Sequence, residues 1–273
     1  MADPAPFDEM YEADGSVREP YRALSQWLDE QPDKALNLMQ ADAEAIFRKL
    51  GITFAVYGSA EGTEKVIPFD VIPRIIAAKE WRQMAKGIEQ RVKALNAFLY
   101  DIYHRQDILK AGRIPEKLIL QNEAFCPEMM GLEPARGVYA HIIGVDIVRV
   151  GADEFYVLED NLRTPSGVSY MLEDREAMMI LAPDLFQRSK VAPVENYPEN
   201  LRRTLESVAP ENSGSSPNIV VLTPGIYNSA YFEHSFLADQ MGATLCEGPD
   251  LFVDGGKVYM RTTTGPERVH VIY

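Results

Sequence analysis

Three side chains near the middle of the chain have the types and the spacing of a cation-binding site. Asp146 is followed thirteen residues later by Glu159, and Asn161 comes two residues after that. The residues between them are largely β-branched, aliphatic or aromatic on both sides of Gly-Ala-Asp-Glu at 151–154, which is typical of a β-hairpin. A four-residue loop at 151–154 predicts that Asp146 lies opposite Glu159.

The same register predicts which side chains share a face of the hairpin. Residue 150 pairs with 155 and residue 148 with 157, and side chains alternate between the two faces. The face with Asp146, Glu159 and Asn161 is then predicted to carry four apolar side chains, Val148, Val150, Phe155 and Val157. Asp160 points to the other face. Because like charges directly opposite each other destabilise a ladder, we expect a cation between Asp146 and Glu159.

Two carboxylates and an amide oxygen are hard ligands, which favour Mg²⁺ over zinc or copper. Mg²⁺ usually takes one or two protein carboxylates and completes its octahedron with water and substrate phosphates. The pattern therefore indicates a partner that bears phosphate groups. The alternative interpretation is a solvated hairpin end whose acids simply face water.

Further polar residues are candidates for holding a substrate. A Thr-Pro-Ser-Gly turn follows Asn161, and its amides and hydroxyls could hold an anion beside the metal. Arg163, Ser166 and Gly167 are the candidates there. A second loop follows the apolar run "NIVVLT" at the carboxyl end of a predicted strand, where α/β sheets bind ligands. Asn228 and Ser229 are the candidates in that loop, although capping of the next helix alone explains both residues.

The amino-acid sequences of four longer segments are a more specific signal than the spacing of the three candidate ligands. They are "FDVIPRII", "EWRQMAKGIEQRVKALNAFLYDIYHRQDIL", "VLEDNLRTPSGVSYMLEDR" and "GIYNSAYFEHSFLADQMG". From about Phe47 to the last residue, the chain resembles the circularly permuted ATP-grasp type 2 family. That family is similar to the synthetase part of glutathionylspermidine synthase, and its members are regarded as ATP-dependent carboxylate–amine ligases.

This resemblance implies a reaction and its participants. ATP and Mg²⁺ would activate a small-molecule or peptide carboxylate as an acyl phosphate, and an amine would then attack to form an amide. Asp146, Glu159 and Asn161 would hold the metal, and Arg163 would act in catalysis. The implied fold is an ATP-grasp-like metal-binding subdomain followed by a partial Rossmann-like pre-ATP-grasp domain, a mixture of α/β and α+β features.

The chain departs from the family in its length. The family continues beyond Tyr273 into a second half that encloses ATP, and this sequence contains neither G-x-x-x-x-G-K-[ST] nor G-x-G-x-x-G. We therefore expect an N-terminal half that is incomplete as a ligase, with the missing C-terminal half as a candidate partner. The rival hypothesis is a truncated or split, non-catalytic module for binding or assembly.

Composition excludes several classes of protein. A net charge of −14 and a pI near 4.8 argue against nucleic acids and anionic membranes as partners, because both attract positive surfaces. Cys126 and Cys246 lack the spacing of a zinc site or a disulfide framework, which is typical of the reducing cytoplasm. We find no secretory signal, no apolar run of about 18 residues, and no G-x-S-x-G motif of a hydrolase.

The hydrophobic pattern predicts how the chain is organised. We predict a flexible acidic arm at 1–20, a helical and metal-binding region at 21–206, a linker at 207–218, and a partial α/β domain at 219–273.

Helices and strands follow from periodicity. We predict a helix over Tyr21–Leu50 that Gly51 ends, and a strand at "ITFAVYG". A long helix should run from about Glu80 to Lys110, and a later one should end at Gly242.

Overall fold

The computed structural model describes residues 6–55 and 64–273. Their contacts divide into two compact units. One consists of Ile76–Pro165 with the described residues up to Glu9, and the other of Met10–Ile75 with Ser166–Tyr273. The mixture of helices and strands confirms the predicted α/β class. The predicted domain limits, which are continuous in sequence, stay a prediction.

The helices of the described residues are α1 Arg22–Asp29, α2 Ala35–Leu50, α3 Ala78–Tyr103, α4 Asp107–Lys110, α5 Glu116–Leu120, α6 Val168–Leu181, α7 Pro183–Ser189, α8 Tyr197–Glu206 and α9 Tyr231–Met241. The strands are β1 Thr53–Ala55, β2 Glu64–Val66, β3 Gly144–Gly151, β4 Glu154–Asn161, β5 Ile219–Leu222, β6 Thr244–Cys246, β7 Leu251–Asp254, β8 Lys257–Thr262, β9 Gly265–Arg268 and β10 Val271–Ile272. None of the described helices is long and apolar enough to cross a membrane.

Helix α3 is the longest element of the first unit, and it is shorter than predicted. It ends at Tyr103 instead of continuing to Lys110. Gln106 has a left-handed backbone with φ of 56°, which a helix interior does not tolerate. The carboxylate of Asp101 instead accepts hydrogen bonds from the backbone N–H groups of Asp107 and Ile108, which begin α4. The sequence keeps its apolar period across this break, so periodicity alone could not reveal it.

Strands β3 and β4 form the predicted antiparallel hairpin. Asp146 lies opposite Glu159, which confirms that pairing. The pairings predicted nearer the turn are wrong, because Val148 lies opposite Tyr156 and Arg149 opposite Phe155. Gly151 pairs with Glu154, so the turn is shorter than the predicted four-residue loop.

Two β-bulges explain the partial success of the predicted register. Val150 is the extra residue on β3, and Leu158 is the extra residue on β4. The first bulge moves the pairing by one residue, and the second, on the opposite strand, moves it back. The hairpin therefore returns to the predicted register at Asp146.

The bulges also change which apolar side chains accompany the acids. On β3, Asp146, Val148 and Val150 are exposed, and the residues between them are half-buried. Phe155 and Val157 lie opposite Arg149 and Ile147, which alternate with Asp146, so the prediction that they share its face is wrong. Tyr156, opposite Val148, takes that place.

Two ion pairs hold the hairpin against α3. Arg149 binds Glu80 at 2.5 Å, with side chains only 7% and 13% exposed, and it also donates to two carbonyl groups of the turn. Arg91 binds Asp160 at 2.5 Å through both guanidinium nitrogens that face it. Glu80 and Arg91 are eleven positions apart, about three turns, so they lie on the same face of α3.

The second unit contains a helical core and two three-stranded sheets. Its helical core is formed by α1, α2, α6 and α7 around buried side chains such as Trp27 and Phe47. The predicted helix at Tyr21–Leu50 is two helices, because Lys34 has φ of 67° between them, whereas its predicted end at Gly51 is confirmed. One sheet is parallel, in the order β10-β5-β6, and the other is the antiparallel meander β7-β8-β9. Gly242 ends α9 as predicted.

Two of the predicted segments are only partly described. The strand predicted at "ITFAVYG" is present at Thr53–Ala55, and its continuation lies outside the described residues. The first five residues of the predicted flexible arm also lie outside them. Within the rest of that segment, Tyr11 forms a β-bridge with Val17.

We predict that Arg149→Met lowers the free energy of unfolding by about 3 kcal/mol, because it leaves the Glu80 carboxylate buried without its partner. Denaturant unfolding would measure the loss, and hydrogen exchange should show faster exchange of the β3 and β4 amides. Arg105→Met is the matched control, since Arg105 and Asp107 form an exposed pair in the same unit. The control should change stability by less than about 0.5 kcal/mol. Equal losses in both variants would contradict the role of the buried pair.

Candidate functional site

The three side chains predicted to bind a metal converge on one face of the β3–β4 hairpin. Asn161 Nδ2 lies 3.4 Å from Asp146 Oδ2 and 3.2 Å from Glu159 Oε1. Asp146 and Glu159 are exposed, and Asn161 is half-buried. The side-chain amide therefore stands between two carboxylates that the ladder brings opposite each other.

This donor set fits a hard divalent cation. The Asn161 amide nitrogen donates to both carboxylates, and so offsets the repulsion that a cation would otherwise relieve. A half-turn of the amide about its last torsion would present Oδ1 to the same point, giving three oxygen donors. No cluster of three or more His, Cys, Asp or Glu side chains suited to a metal occurs in the described residues. A metal on this hairpin would therefore need the amide together with the two carboxylates.

Asp160 is placed differently from its two acidic neighbours. It points to the opposite face of the hairpin, as predicted, and there it meets α3, where the hydrogen bond from Arg91 lowers the pKa of its carboxyl group below the ordinary value. Arg163 follows the end of β4 and is exposed. Asp160 thus holds the hairpin in position and does not belong to the donor set.

The Thr-Pro-Ser-Gly turn leads into α6 and meets a buried acid. Glu233, which is 3% exposed, accepts the backbone N–H of Gly167 at 2.7 Å and that of Ser169 at 3.0 Å through Oε2. The hydroxyl of Ser169 donates to the same oxygen at 2.8 Å. The N-terminus of α6 therefore already holds an anion, and this anion is a side chain of α9. Ser166 is exposed and precedes these contacts.

Asn228 and Ser229 line a cavity of about 210 Å³ in the second unit. Asn228 Oδ1 also accepts the N–H of Ala230 at 2.9 Å, in the turn just before α9. The described lining residues are Gly51, Thr53, Ile226, Asn228, Ser229, Tyr231, Phe232 and Ser235. Amide and hydroxyl groups thus stand beside aliphatic and aromatic side chains, a mixture common in small-molecule sites.

The carboxyl edge of the parallel sheet carries polar side chains that are neutral at pH 7. Thr223 Oγ1 and His234 Nδ1 are 2.9 Å apart. Burial lowers the pKa of His234, against a smaller opposing effect of Glu233. Burial also raises the pKa of Tyr273 to about 12, and the neighbouring Tyr197 and Glu233 add to this.

Sequence reasoning missed two of these arrangements. Glu233 lies in an ordinary helical pattern, and nothing in the neighbouring sequence indicates that it caps a helix whose first turn lies 64 to 66 residues earlier. The pairing of Arg91 with Asp160 had a weak signal in the sequence. Glu80 and Arg91 are spaced to lie on one face of a helix, and the hairpin carries the complementary charges, Arg149 and Asp160. The helix face alone gave no reason to choose those partners.

We predict that Glu233→Gln speeds hydrogen exchange at the Gly167 and Ser169 amides and lowers the free energy of unfolding by about 2 kcal/mol. The variant keeps the shape of the side chain but removes the charge that accepts three hydrogen bonds. Glu199→Gln is the control, because Glu199 makes an exposed pair with Arg203 within α8. Unchanged exchange at both amides in Glu233→Gln would show that this carboxylate does not hold the turn.

Several known proteins are similar to nearly the whole of this chain. An uncharacterized protein of Synechocystis sp. is 47% identical over 267 residues, which cover 98% of this chain and 55% of the relative. An uncharacterized protein of Mycobacterium tuberculosis is 47% identical over 270 residues, or 98% of this chain and 48% of the relative. The chain therefore spans about half the length of these relatives.

A third relative carries a functional name. A protein of Frankia casuarinae, named "Putative glutamate--cysteine ligase 2-2", is 36% identical over 274 residues, which cover 99% of this chain and 31% of the relative.

A family model covers the part of the chain that holds the hairpin, the α6 turn and the cavity residues at 226–235. The model, described as circularly permuted ATP-grasp type 2, matches residues 73–273. These residues are about three quarters of the chain, and they include each of the predicted site residues. The chain belongs to the circularly permuted ATP-grasp type 2 family.

Proposed function

We propose that this chain provides the metal-binding part of an ATP-dependent carboxylate–amine ligase. The observation that carries the proposal is the convergence of Asp146, Glu159 and Asn161 on one hairpin face, in a member of the ATP-grasp family. The name of the Frankia relative, a ligase for glutamate and cysteine, supports the joining of a carboxylate to an amine. The similarity to the synthetase part of glutathionylspermidine synthase, and the place of this chain as an N-terminal half, belong to the same proposal.

The proposed reaction has two steps. A substrate carboxylate oxygen attacks the γ-phosphorus of ATP, the bond to the β-phosphate oxygen breaks, and ADP leaves. The amine nitrogen then attacks the acyl carbon of the resulting acyl phosphate, inorganic phosphate leaves, and the nitrogen loses a proton. Bound Mg²⁺ would neutralise charge on the transferred phosphoryl group.

The residues of this chain have separate roles in the proposal. Asp146, Glu159 and Asn161 hold the cation through their oxygens, and the exposed Arg163 guanidinium binds phosphate oxygens in catalysis. Ser166 and Gly167 belong to the substrate-binding turn. Because the N–H of Gly167 donates to Glu233, Gly167 shapes the turn. The exposed hydroxyl of Ser166 remains able to donate to a substrate.

The cavity beside α9 is the proposed second substrate subsite. Asn228 and Ser229 line it together with aliphatic and aromatic neighbours. Such a lining suits an uncharged or amide-bearing part of a small-molecule or peptide substrate.

The second candidate function is a non-catalytic binding or assembly module. It is the rival hypothesis from the sequence, in which the nucleotide-enclosing motifs G-x-x-x-x-G-K-[ST] and G-x-G-x-x-G do not occur. Metal binding without ATP turnover would be expected of such a module.

We predict that Mn²⁺, used as a paramagnetic substitute for Mg²⁺, binds this chain at one hairpin site. Glu159→Gln should weaken the binding at least about tenfold, equivalent to about 1.4 kcal/mol, because it removes one of two anionic ligands. Electron paramagnetic resonance titration would measure the free Mn²⁺.

The control for this titration is Asp153→Asn. Asp153 is an exposed carboxylate in the turn of the same hairpin, away from Asp146 and Glu159. Asp160→Asn is unsuitable, since it also breaks the ion pair with Arg91. Equal affinities of the wild type and Glu159→Gln would remove the basis of the metal assignment.

We also predict that the 273-residue chain by itself binds MgATP no more tightly than about millimolar. The contacts proposed here reach the phosphates through the cation and Arg163, and few contacts must offset the entropy lost on binding. Isothermal titration calorimetry with MgATP would measure this affinity. Micromolar or tighter binding would contradict it, and would show that the nucleotide is enclosed by residues of this chain.

A further inference from the structure

Another cavity of the second unit is lined by residues of α6, of α9 and of the segment that leads into α8. Its volume is about 230 Å³, and none of its lining residues is a predicted site residue. Since a water molecule takes up about 30 Å³ of liquid, this volume corresponds to about seven waters. The cavity therefore suits a small ligand or one end of a larger one.

Three carboxylates line this cavity, which we call the acidic cavity. Glu173 and Glu176 are neighbours on α6, and Glu195 comes from the segment before α8. None of the three forms an ion pair with any residue that the structure describes. The lining also contains Arg175, but its guanidinium donates to the carbonyl oxygen of Ala192 and lies over the ring of Phe186. The acidic cavity therefore keeps uncompensated negative charge.

Burial makes the negative charge of this part of α6 costly. It raises the pKa of the Glu173 carboxyl group, and the nearby Glu176 adds to the effect. In the next residue, Asp174, the buried Oδ1 has no hydrogen-bond partner among the described residues, and burial, with a further contribution from Glu173, raises its pKa to about 6. Carboxylates that lack donors are destabilised in their charged form, so a bound cation would stabilise this region.

The spacing of the carboxylates does not suit a metal ion. Within residues 6–55 and 64–273, no three side chains of His, Cys, Asp or Glu are grouped so that they could hold one. An ammonium group requires less convergence, because its N–H···O hydrogen bonds are about 2.8 Å long, whereas Mg²⁺ draws its oxygen ligands to about 2.1 Å. The three glutamates therefore favour an organic cation over a metal ion.

The remaining lining indicates what the cation is attached to. Leu172, Val194, Pro198 and Phe236 supply aliphatic and aromatic surface, and Gln240 supplies an amide. Methylene groups are favourably buried against such side chains. A single aromatic ring does not form the cage that binds quaternary ammonium ions, and carboxylates bind best to a cation with N–H donors. The complementary ligand is a protonated primary amine on an aliphatic chain.

We propose that the acidic cavity binds the ammonium end of a primary aliphatic amine, whose methylene groups lie against the apolar lining. Glu173 and Glu176 accept its N–H groups, and Glu195 attracts it by charge. The net charge of −14 draws such a cation towards the chain from a distance. The proposal goes beyond the ligase function, because it assigns a cavity that the hairpin site and the Asn228 cavity leave unused. Binding requires neither metal nor nucleotide.

The test is a titration of the 273-residue chain with n-butylammonium chloride, in EDTA and at constant ionic strength. The ¹H–¹⁵N signals of α6 and α9 report binding. We expect saturable shifts with a dissociation constant of about 10 mM or tighter, as befits a ligand of so few atoms. Two other probes, 1-butanol and tetramethylammonium, should bind at least about tenfold more weakly, because the first lacks the charge and the second lacks N–H donors.

Two variants locate the site on α6. Glu173→Gln and Glu176→Gln should each weaken the binding of n-butylammonium at least about fivefold, because each removes an anionic acceptor and keeps the shape of the side chain. Glu267→Gln is the matched control, since Glu267 is an exposed strand residue of the same unit and lies outside the cavity. It should bind as the wild type does. In denaturant unfolding, the two cavity variants should be at least as stable as the wild type, because each removes an unpaired charge.

Three results would overturn the proposal. One is the absence of saturable shifts in α6 and α9 up to about 100 mM n-butylammonium. Another is equal affinity for n-butylammonium and 1-butanol, or equal affinity of the wild type and both cavity variants. The third, in a sample without EDTA, is saturation of the same shifts by Mg²⁺ at lower concentration than by n-butylammonium. Because the main titration contains neither metal nor nucleotide, a failure of the ligase proposal leaves its outcome unchanged.

Discussion

The position of the hairpin depends on its two ion pairs with α3. Their spacing along the helix matches their spacing along the strands. Glu80 and Arg91 are about 16 Å apart along α3, at about 1.5 Å per residue. Phe155 lies opposite Arg149, and Asp160 lies opposite Val145, four residues from Arg149 on β3 and so about 14 Å along the strand. Since the two lengths agree to within the reach of an arginine side chain, both pairs form at once, and the hairpin has a single position along the helix. The face with the three predicted metal ligands must then point away from α3.

This arrangement requires the bulge at Leu158. Phe155 and Asp160 are an odd number of residues apart, so in a regular strand they would point to opposite faces. The extra residue restores Asp160 to the face of Arg149, where Arg91 binds it. It also returns Glu159 and Asn161 to the face of Asp146. One irregularity therefore creates both the second ion pair and the cluster of metal-ligand candidates.

The sequence predicted the elements better than it predicted their irregularities. Apolar periodicity located the hairpin, α3 and α9, because burial of one face is a local property of the pattern. It missed the break after Tyr103 and the two bulges, because the apolar pattern continues through all three. Asp146 was nevertheless placed opposite Glu159, since the two bulges lie on opposite strands and cancel. The cap that Glu233 gives to α6 depends on tertiary contact and has no local signature.

The two bulges make the residues that form them dispensable for the pairing of the hairpin. Val150 and Leu158 have no residue opposite them, so replacing either leaves the ladder unchanged. Deleting Leu158 alone would close its bulge and leave Asp146 opposite Glu159 and Val145 opposite Asp160, because the pairs on both sides of an extra residue do not depend on it. A hairpin that lacks either extra residue should therefore keep the same three candidate ligands on one face and Asp160 on the other.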